Sequence, residues 1–589
     1  MRVRVAAFFL ALVLAASAGV AGEIAWQGWS DAAFVKAKAE KRLVLLDLGA
    51  VWCHWCHVME ETTYKDPKVV ALLGEHFVAV RVDQDARPDL SNRYEDYGWP
   101  ATIIFDASGR ELVKFAGYIA PERMISLLEG VVADPTPGPS AAPEVPMGAG
   151  GGGTLPGELR QELAQTLVAR YDKEQGGWGF SKKYLDWESV EWSLVRSRAG
   201  DEDAKLRAQR TLELSRKLID PVWGGLYQYS DSGDWDHPHF EKLMQFQAEG
   251  IRIYAQAYAL WRDPADLAAA RDILRYVRAF LTSPEGAFYV SQDADLVSGE
   301  HSGEYYALSD GQRRSRGVPR VDTHLYARET AWGACALVAL YGVTGEGALL
   351  EEALKAARWI LANRQLSGGG FRHGGADAAG PYLGDTLAAG RAFLALYAAT
   401  GDRAWLARAG AAARFIGKTF AAPGMPGFVT AVSKSRFAPA RPQRDENVAL
   451  ARFANLLFRY TGKAASRELA KKAMTFLAVP EVARRFSTAS VLLADAELSA
   501  EPSHVTVVGA RSDPRTRDLL LAALSDPSGY KRVEAWDPAD GPLINADVEF
   551  PQLDRPAAFA CANGRCSLPA FEPGQLRDRV ERLRAAAGK

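Results

Sequence analysis

The chain has 589 residues, of which 48% are hydrophobic and 24% charged, with a formal net charge of −2. This length exceeds what one hydrophobic core supports, so several domains are expected in a soluble globular protein. The near-neutral charge excludes an electrostatic basis for binding nucleic acid or an anionic membrane surface.

The N-terminal segment, 1–22, has the pattern of a secretory signal peptide. Two arginines precede the apolar run 5–14, small residues follow it, and cleavage is expected after Ala18 or Ala21. The run is too short to span a bilayer comfortably, although an uncleaved anchor is the alternative. We therefore expect an exported, periplasmic protein that is soluble after signal cleavage and resides where disulfides persist.

Residues 23–132 are expected to form an α/β thioredoxin-like domain. LVLLDLG (43–49) predicts a buried strand, 53–64 a helix, and FVAVRVD (77–83) a parallel strand, because parallel neighbours require a crossover helix. Two further strands, ATIIF and ELVKFAG, flank the turn DASG, and a helix closes the unit at 121–132. A βαβ unit, a hairpin and a helix follow one another in the order of a thioredoxin-like sheet.

Residues 133–157 are dense in Pro and Gly and predict a linker. The next part, 158–500, contains an internal repeat in which helix pairs alternate with Gly-rich turns that carry an aromatic residue, such as EQGGWGF and SGGGFRH. One helix of a pair is apolar on most faces and its partner is amphipathic, which predicts an inner and an outer ring. About twelve such helices would close as an all-α (α/α)6 barrel, with the turns at one rim, and a solenoid of helical hairpins is the alternative.

The C-terminal segment, 501–589, is predicted to be a small α/β subdomain, with strands in HVTVVGA, KRVEAW and PAAFACA and a last helix from Pro573. Cys561 and Cys566 flank a turn-like stretch, where a stabilising disulfide is favoured over a second redox centre because no helix start accompanies them. Cys335 stands alone in an apolar run and is predicted to be a core residue.

The stretch WCHWCH, 52–57, is compatible with four kinds of chemistry. Cys53 and Cys56 form a CxxC redox pair, the extension to His57 matches attachment of c-type haem, and the two cysteines with His54 and His57 could bind zinc. A purely structural disulfide is the fourth alternative. For the redox alternative, Cys53 would lie at a strand-to-helix junction, where free N–H groups and the helix dipole favour a thiolate and Cys56 can resolve a mixed disulfide.

Three features favour the redox chemistry. A predicted buried strand directly precedes the motif, and Asp47 lies on it, six residues before Cys53. Trp99 and Pro100 come just before another strand, with Pro100 47 residues after Cys53. Haem would also require a pocket and a second axial ligand, and adjacent Cys-His pairs crowd poorly around one zinc tetrahedron. We therefore expect neither a metal nor a cofactor.

The segment DLGAVWCHWC resembles a thioredoxin active site. More specifically, CHWCHVME, VDQDARPDL and GWPATIIF resemble the thioredoxin-like domain of the spermatogenesis-associated thioredoxin-domain family, and HPHFEK and AFACANGRCSLP further along resemble other segments of that family. The resemblance implies a thioredoxin-like domain fused to a barrel of the six-hairpin glycosidase type. It also implies that Asp47 is a buried proton-transfer carboxylate and that Pro100 is a cis-proline shaping a peptide groove. Trp52, Trp99 and the two motif histidines would tune the cysteine pair.

Polar residues cluster after two of the Gly-aromatic turns, in DWDHPHFEK and QDADLVSGEHSGE. Paired carboxylates across a cleft could act as general acid and base on a glycosidic bond, and a histidine beside a carboxylate could move a proton next to a sugar carbonyl. Calcium binding, helix capping and a Glu241–Lys242 ion pair are the alternatives. The candidate barrel-site residues are His237, His239, Glu241, Lys242, Asp293, Asp295 and Glu304.

The leading hypothesis is an exported thiol–disulfide oxidoreductase that acts on a protein thiol or disulfide, or on a redox partner, with a barrel that binds the substrate or partner. In it, Cys53 attacks, Cys56 resolves, and Asp47 assists proton transfer. The second hypothesis is a carbohydrate-active or carbohydrate-binding barrel, with a glycan as ligand and an accessory redox domain. The third is a scaffold without catalysis.

Overall fold

A computed structural model describes residues 23–94, 98–141, 152–485, 487–562 and 565–587. The expected signal peptide and the middle of the predicted linker lie outside these described residues. Within them, no helix combines the length and the apolar character needed to cross a membrane. The chain is multidomain: a thioredoxin-like domain, a helical barrel and a small C-terminal α/β subdomain follow one another.

The thioredoxin-like domain is built on a four-stranded mixed sheet in the order β2-β1-β3-β4. β1 runs parallel to β2 because helices link them, and antiparallel to β3, which forms a hairpin with β4. The strands are β1 (Leu43–Gly49), β2 (Phe77–Asp83), β3 (Ala101–Phe105) and β4 (Glu111–Ala116). The helices are α1 (Asp31–Glu40), α2 (His54–Glu61), α3 (Pro67–His76), α4 (Pro88–Tyr94) and α5 (Pro121–Ala133).

Strand β1 is covered on both faces, which explains its nearly continuous apolar sequence. Leu46 packs into one core with Phe34 of α1, whereas Leu45 packs into the other with Met59 of α2. Alternation along the strand places Asp47 on the same face as Leu45. The strand ends where α2 is about to begin, so it delivers the CxxC motif to the carboxyl edge of the parallel pair.

Twelve helices form the predicted (α/α)6 barrel. Each inner helix contacts the next, and α20 returns to α7, so the ring is closed and the solenoid alternative is wrong. The inner helices are α7 (Trp187–Arg198), α9 (Met244–Trp261), α13 (Ala327–Thr344), α15 (Leu383–Thr400), α17 (Arg444–Thr461) and α20 (Ala489–Ser499). Their outer partners are α6 (Gly157–Ala169), α8 (Glu202–Ser215), α10 (Pro264–Phe280), α14 (Gly347–Asn363), α16 (Arg403–Thr419) and α18 (Ala464–Leu477).

The two rims of the barrel differ in their connections. Long connections lead from each outer helix to the next inner one, five of the six contain a Gly-aromatic turn, and we call this end the loop rim. The opposite end, the tight-turn rim, has connections such as Gly345, Gly401 and Gly462, each in the left-handed conformation that ends a helix. Short elements on the loop rim are β5 (Tyr229–Ser230), β6 (Pro238–His239), β7 (Lys242–Leu243), β8 (Ser291–Gln292), β9 (Val321–Asp322), α11 (Gly303–Tyr306), α12 (Asp310–Arg316) and α19 (Pro480–Ala483).

The two α/β units cover opposite ends of the barrel. On the loop rim, Phe437 enters the thioredoxin-like core and stacks on Phe34 with 4.1 Å between ring centroids. On the tight-turn rim, Tyr397 of α15 donates a hydrogen bond of 3.0 Å to Glu534 of the C-terminal subdomain. That subdomain has a sheet in the order β11-β10-β12-β13. Its elements are β10 (Ser503–Val508), α21 (Pro514–Leu524), β11 (Lys531–Trp536), β12 (Ala557–Ala562), β13 (Arg565–Cys566) and α22 (Pro573–Ala587).

Candidate functional site between the domains

Cys53 and Cys56 are joined by a disulfide at the start of α2. Cys53 is the N-cap of the helix, and the backbone N–H of Cys56 donates a hydrogen bond of 3.1 Å to its sulfur. The first N–H groups of a helix have no partner within the helix, so they stabilise negative charge at this position. On reduction, Cys53 is therefore placed to be the stabilised thiolate of the pair.

The disulfide lies in a small apolar cluster that includes residues of both domains. Trp52 and Trp99 pack around it from the thioredoxin-like domain, and Leu243 packs against it from the barrel. The Trp99–Pro100 peptide bond is cis, as the resemblance implies. Cys53 is only 3% exposed and Cys56 is half-buried, so the barrel partly covers the redox pair.

Asp47 is buried and has a charged partner on the neighbouring strand. Its Oδ2 accepts a hydrogen bond of 2.9 Å from Nε of Arg81, which lies opposite it in the register of β1 and β2. Burial raises the pKa of Asp47, although the Arg81 charge opposes that shift. Its predicted role in proton transfer to the cysteines stays a prediction.

Both motif histidines turn toward a barrel loop. Nδ1 of His54 lies 2.7 Å from Oδ1 of Asp295, and Nδ1 of His57 lies 3.2 Å from Oδ2 of the same carboxylate and 3.6 Å from Oδ1 of Asp293. Burial lowers the pKa of His57, but the hydrogen bond to Asp295 and the two aspartate charges outweigh it, so the pKa is raised. The predicted redox-tuning residues and part of the predicted barrel site therefore form one cluster.

Glu241 reaches the start of α2 from the same rim. Its Oε1 accepts a hydrogen bond of 3.4 Å from the backbone N–H of His54, while its Oε2 is buried without a hydrogen-bond partner among the described residues. Burial raises the pKa of Glu241 to about 7 and that of Asp293 to about 6. Two carboxyl groups beside the redox motif thus change protonation state near neutral pH.

Of the remaining predicted barrel residues, His239 borders this cluster, with its Nδ1 4.0 Å from Oε1 of Glu241, whereas the other three are not part of it. Lys242 is fully buried against Asp220 at 2.8 Å, so the alternative of a Glu241–Lys242 ion pair is wrong; consecutive residues of an extended segment point to opposite sides. His239 bonds to Asp231 at 2.7 Å. His237 is paired with Asp234 on the surface, and Glu304 is exposed.

The structure also bears on the other uses considered for WCHWCH. The two cysteines are bonded to each other, and both histidines face Asp295, so the zinc set of two cysteines and two histidines is not assembled. Cys561 and Cys566 form a second disulfide, between the paired strands β12 and β13.

Sequence reasoning missed contacts that cross the domain boundary. His373 of the loop rim bonds through Nε2 to the backbone oxygen of Asp85 at 2.7 Å, and Asp85 in turn accepts a hydrogen bond of 2.8 Å from the Trp52 indole. The sequence does show that clusters of polar residues precede inner helices, which predicts that these clusters lie at the same rim of the barrel. The sequence contains no signal for which rim the thioredoxin-like domain would cover.

A cavity of about 290 Å³ lies near the tight-turn rim, away from the disulfide. Cys335 lines it and is half-buried, so the predicted core cysteine borders a void instead of being fully packed. Burial raises the pKa of its thiol to about 11, which makes it a poor nucleophile at neutral pH. Arg452 and Glu497 form an ion pair of 2.7 Å in the wall of the cavity.

Sequence comparisons find a family model for the N-terminal domain and relatives that match parts of the chain of different lengths. A thioredoxin/DsbH-type family model, described as a protein of unknown function (DUF255), matches residues 17–131. Spermatogenesis-associated protein 20 of Rattus norvegicus is 30% identical over 308 residues, which cover 46% of this chain and 38% of that protein. The chain thus matches well under half the length of this relative. The thiol:disulfide interchange protein DsbD of Ralstonia nicotianae is 36% identical over 102 residues, 17% of each chain.

Structural comparisons match the barrel. Cellobiose 2-epimerase from Bacillus thermoamylovorans superposes with a TM-score of 0.43 at 13% identity, covering 54% of this chain and 86% of that one. A D-mannose isomerase superposes with a TM-score of 0.44 at 11% identity, covering 58% of this chain and 98% of that one.

Proposed function

We propose that this chain, which belongs to the spermatogenesis-associated thioredoxin-domain family, catalyses thiol–disulfide exchange at a redox centre that the barrel completes. The observation that carries the proposal is the Cys53–Cys56 disulfide at the N-terminus of α2, packed against Trp99 of the cis Trp99–Pro100 peptide. A strand-to-helix junction that stabilises a thiolate and holds a second cysteine one turn away is suited to this exchange.

The exchange consists of two displacements. A partner thiolate attacks the sulfur of Cys53, the Cys53–Cys56 bond breaks, and Cys56 leaves as a thiolate that takes up a proton. A second partner thiolate then attacks the mixed disulfide, Cys53 leaves, and the partner is oxidised to a disulfide while the chain holds two thiols. The reverse sequence reduces a partner disulfide and regenerates the bond in this chain.

Burial of Cys53 sets a condition on this reaction. Leu243 packs against the redox pair, and Glu241 engages the helix N-terminus directly after Cys53. Attack on a sulfur requires a straight approach along the disulfide axis, which a contacting side chain blocks. We infer that the loop-rim segment 238–243 moves away when a partner docks.

A trapping experiment tests the proposal. Full-length Cys56→Ser protein, expressed in its native compartment, should accumulate a mixed disulfide between Cys53 and a protein partner, because the resolving thiol is missing. The double variant Cys53→Ser/Cys56→Ser is the matched control and should trap nothing. Equal amounts of adduct in both variants would contradict exchange at this site. So would the absence of adduct in both variants, if the reduced thiols of the wild-type protein also resist alkylation.

We also propose that the chain is exported to the periplasm and is soluble there. The basic, apolar and small-residue order of segment 1–22 supports this proposal. N-terminal sequencing of protein isolated from the periplasmic fraction should give a start after Ala18 or Ala21. An intact Met1 on cytoplasmic protein would contradict it.

A carbohydrate-active barrel is the second candidate function. It is favoured by the raised pKa values of Glu241, about 7, and Asp293, about 6, since paired carboxyl groups of this kind suit acid–base chemistry on sugars. Both groups lie against the thioredoxin-like domain, which favours a role at the redox centre over a role in sugar chemistry. Glycan binding or turnover that is lost in Glu241→Gln but kept in Cys53→Ser/Cys56→Ser would reverse this preference.

A further inference from the structure

The two contacts of His57 with aspartates are longer than the His54–Asp295 contact of the same cluster. Charge-assisted N–H···O bonds are normally about 2.7–2.9 Å long, as the His54–Asp295 contact is at 2.7 Å. Nδ1 of His57 instead lies 3.2 Å from Asp295 and 3.6 Å from Asp293. Two ligand atoms that share a tetrahedral zinc ion at about 2.0–2.2 Å lie roughly 3.4 Å apart, so these separations match ligands around a common ion.

The three side chains also form hydrogen bonds with backbone groups, as the ligands of metal sites commonly do. Nε2 of His57 lies 3.1 Å from the backbone oxygen of Val51, so an N–H there can donate to it and leave Nδ1 with a free electron pair. The backbone N–H of Gly299 donates to Asp295 at 2.9 Å, and that of Asp295 donates to Asp293 at 2.9 Å. The ligand atoms of His57, Asp293 and Asp295 all lie within 4.8 Å of one another.

The charge of the cluster calls for a cation. Glu241, Asp293 and Asp295 are 3%, 7% and 4% exposed, and they share the interface with His54 and His57. When these three groups are ionised and the histidines are neutral, the site holds buried negative charge, which is unfavourable unless a cation compensates it. The buried, unpartnered Oε2 of Glu241 is a further oxygen in this neighbourhood, and the Asp295 charge acts on that carboxyl group.

We propose that His57, Asp293 and Asp295 bind a divalent transition-metal ion between the thioredoxin-like domain and the barrel. One imidazole nitrogen and two carboxylates suit zinc, whereas calcium and magnesium prefer sites made of oxygen alone. The ion would connect the helix that follows the redox cysteines to the loop rim. The site is independent of the exchange chemistry, because both cysteines can remain in their disulfide.

Zinc titration of the full-length, untagged protein tests this site. The protein is kept oxidised, stripped with EDTA and titrated with Zn²⁺ in a calorimeter. We expect one ion per chain and a higher melting temperature with Zn²⁺, since an ion that binds only the folded state stabilises it. The affinity should fall on the order of 100-fold or more in Asp293→Asn and His57→Gln, because loss of a ligand costs more than the 10–100-fold of an outer-shell change.

Matched controls separate binding from folding. Asp293→Asn keeps the oxygen that accepts from the Asp295 N–H, and circular dichroism with an intact Cys53–Cys56 disulfide checks the fold. Asp236→Asn makes the same change at an exposed aspartate paired with Lys217 and should bind like wild type. Absence of stoichiometric Zn²⁺, equal affinity in the two Asn variants, tighter binding of Ca²⁺, or a thiolate charge-transfer band with Co²⁺ would each overturn the proposal.

Discussion

At the residue scale, the site depends on polar side chains that burial forces into contact. Asp295 serves both His54 and His57, and Glu241 accepts from the first helical N–H after Cys53. Burial raises the pKa of Glu241 to about 7. Burial also acts to raise the pKa of Asp295, but its hydrogen bonds to the two histidines outweigh this effect, so that pKa is lowered. The chemistry of the motif is therefore set by residues almost two hundred or more positions away in the chain.

Replacement of Glu241 by Gln should change how stability depends on pH. The pKa of Glu241 is raised to about 7 from 4.5, so the unfolded chain loses this proton first and wild-type stability falls as pH rises between these values. Above the folded pKa the penalty is complete, on the order of 3 kcal/mol, and the Gln variant lacks it. We expect the melting temperature of the EDTA-treated variant, relative to that of EDTA-treated wild type, to be higher at about pH 8.5 than at about pH 5.

The control for this measurement is Glu304→Gln, the same change at an exposed glutamate on the loop rim. It should follow wild type at both pH values. A Glu241→Gln variant that also follows wild type would mean that Glu241 is ionised and compensated in the folded protein.

Truncation of Leu243 should open the redox centre. Its side chain packs against the cysteine cluster, and Cys53 is 3% exposed. We expect Leu243→Ala to raise the iodoacetamide alkylation rate of reduced Cys53 roughly tenfold. This corresponds to a decrease of about 1.4 kcal/mol in the activation free energy of alkylation. Leu568→Ala, at a leucine that is 70% exposed, is the control and should leave the rate unchanged. An unchanged rate in Leu243→Ala would show that another contact limits access.

At the scale of elements, the two disulfides belong to different structural settings. Cys53–Cys56 bridges the first turn of a helix, where the N-terminal N–H groups favour a thiolate. Cys561–Cys566 instead joins two paired strands and lies in the apolar cluster of the C-terminal sheet. The first setting is suited to the proposed exchange, whereas the second joins the strands of a hairpin.

Removal of the hairpin disulfide should lower stability without affecting exchange. For a loop this short, the chain-entropy model gives about 2 kcal/mol. The Cys561→Ser/Cys566→Ser protein should therefore melt at a lower temperature and keep the wild-type rate of exchange with a model dithiol. Loss of exchange in this variant would assign a redox role to the second pair.

At the scale of the whole molecule, the barrel lies between two α/β units, and each unit covers a different rim. The C-terminal subdomain packs against the tight-turn rim beside the cavity. The thioredoxin-like domain covers the loop rim, where the long connections of this barrel lie, and Phe437 anchors it. Domain docking therefore brings the Cys53–Cys56 pair to the barrel and covers the barrel mouth at the same time.

Phe437→Ala should weaken this docking. The ring is 5% exposed and lies in the thioredoxin-like core, so its truncation should cost about 3–5 kcal/mol. Hydrogen exchange should speed up in α1 and around the Cys53–Cys56 pair, while the inner barrel helices stay protected. Phe180→Ala, at a loop phenylalanine that is 64% exposed, is the control. Unchanged exchange in α1 would show that other contacts hold the domains together.

Local sequence was sufficient for the domain types and for the redox motif. The apolar run before WCHWCH specifies a buried strand, and the alternation of apolar and amphipathic helices specifies two rings. These two features depend on periodicity, which is visible along the chain. The place of the cis Trp99–Pro100 peptide beside the cysteines was instead implied by the resemblance to thioredoxins.

Tertiary structure alone decided which residues share a site. The contacts of His54 and His57 with Asp295 span 241 and 238 residues, and Lys242 turns to Asp220 instead of its neighbour Glu241. Such pairings follow from the rim on which a domain docks, which depends on the packing of single side chains such as Phe437. No periodicity records that choice, because the free energy of docking is the sum of contacts between segments that are distant in sequence.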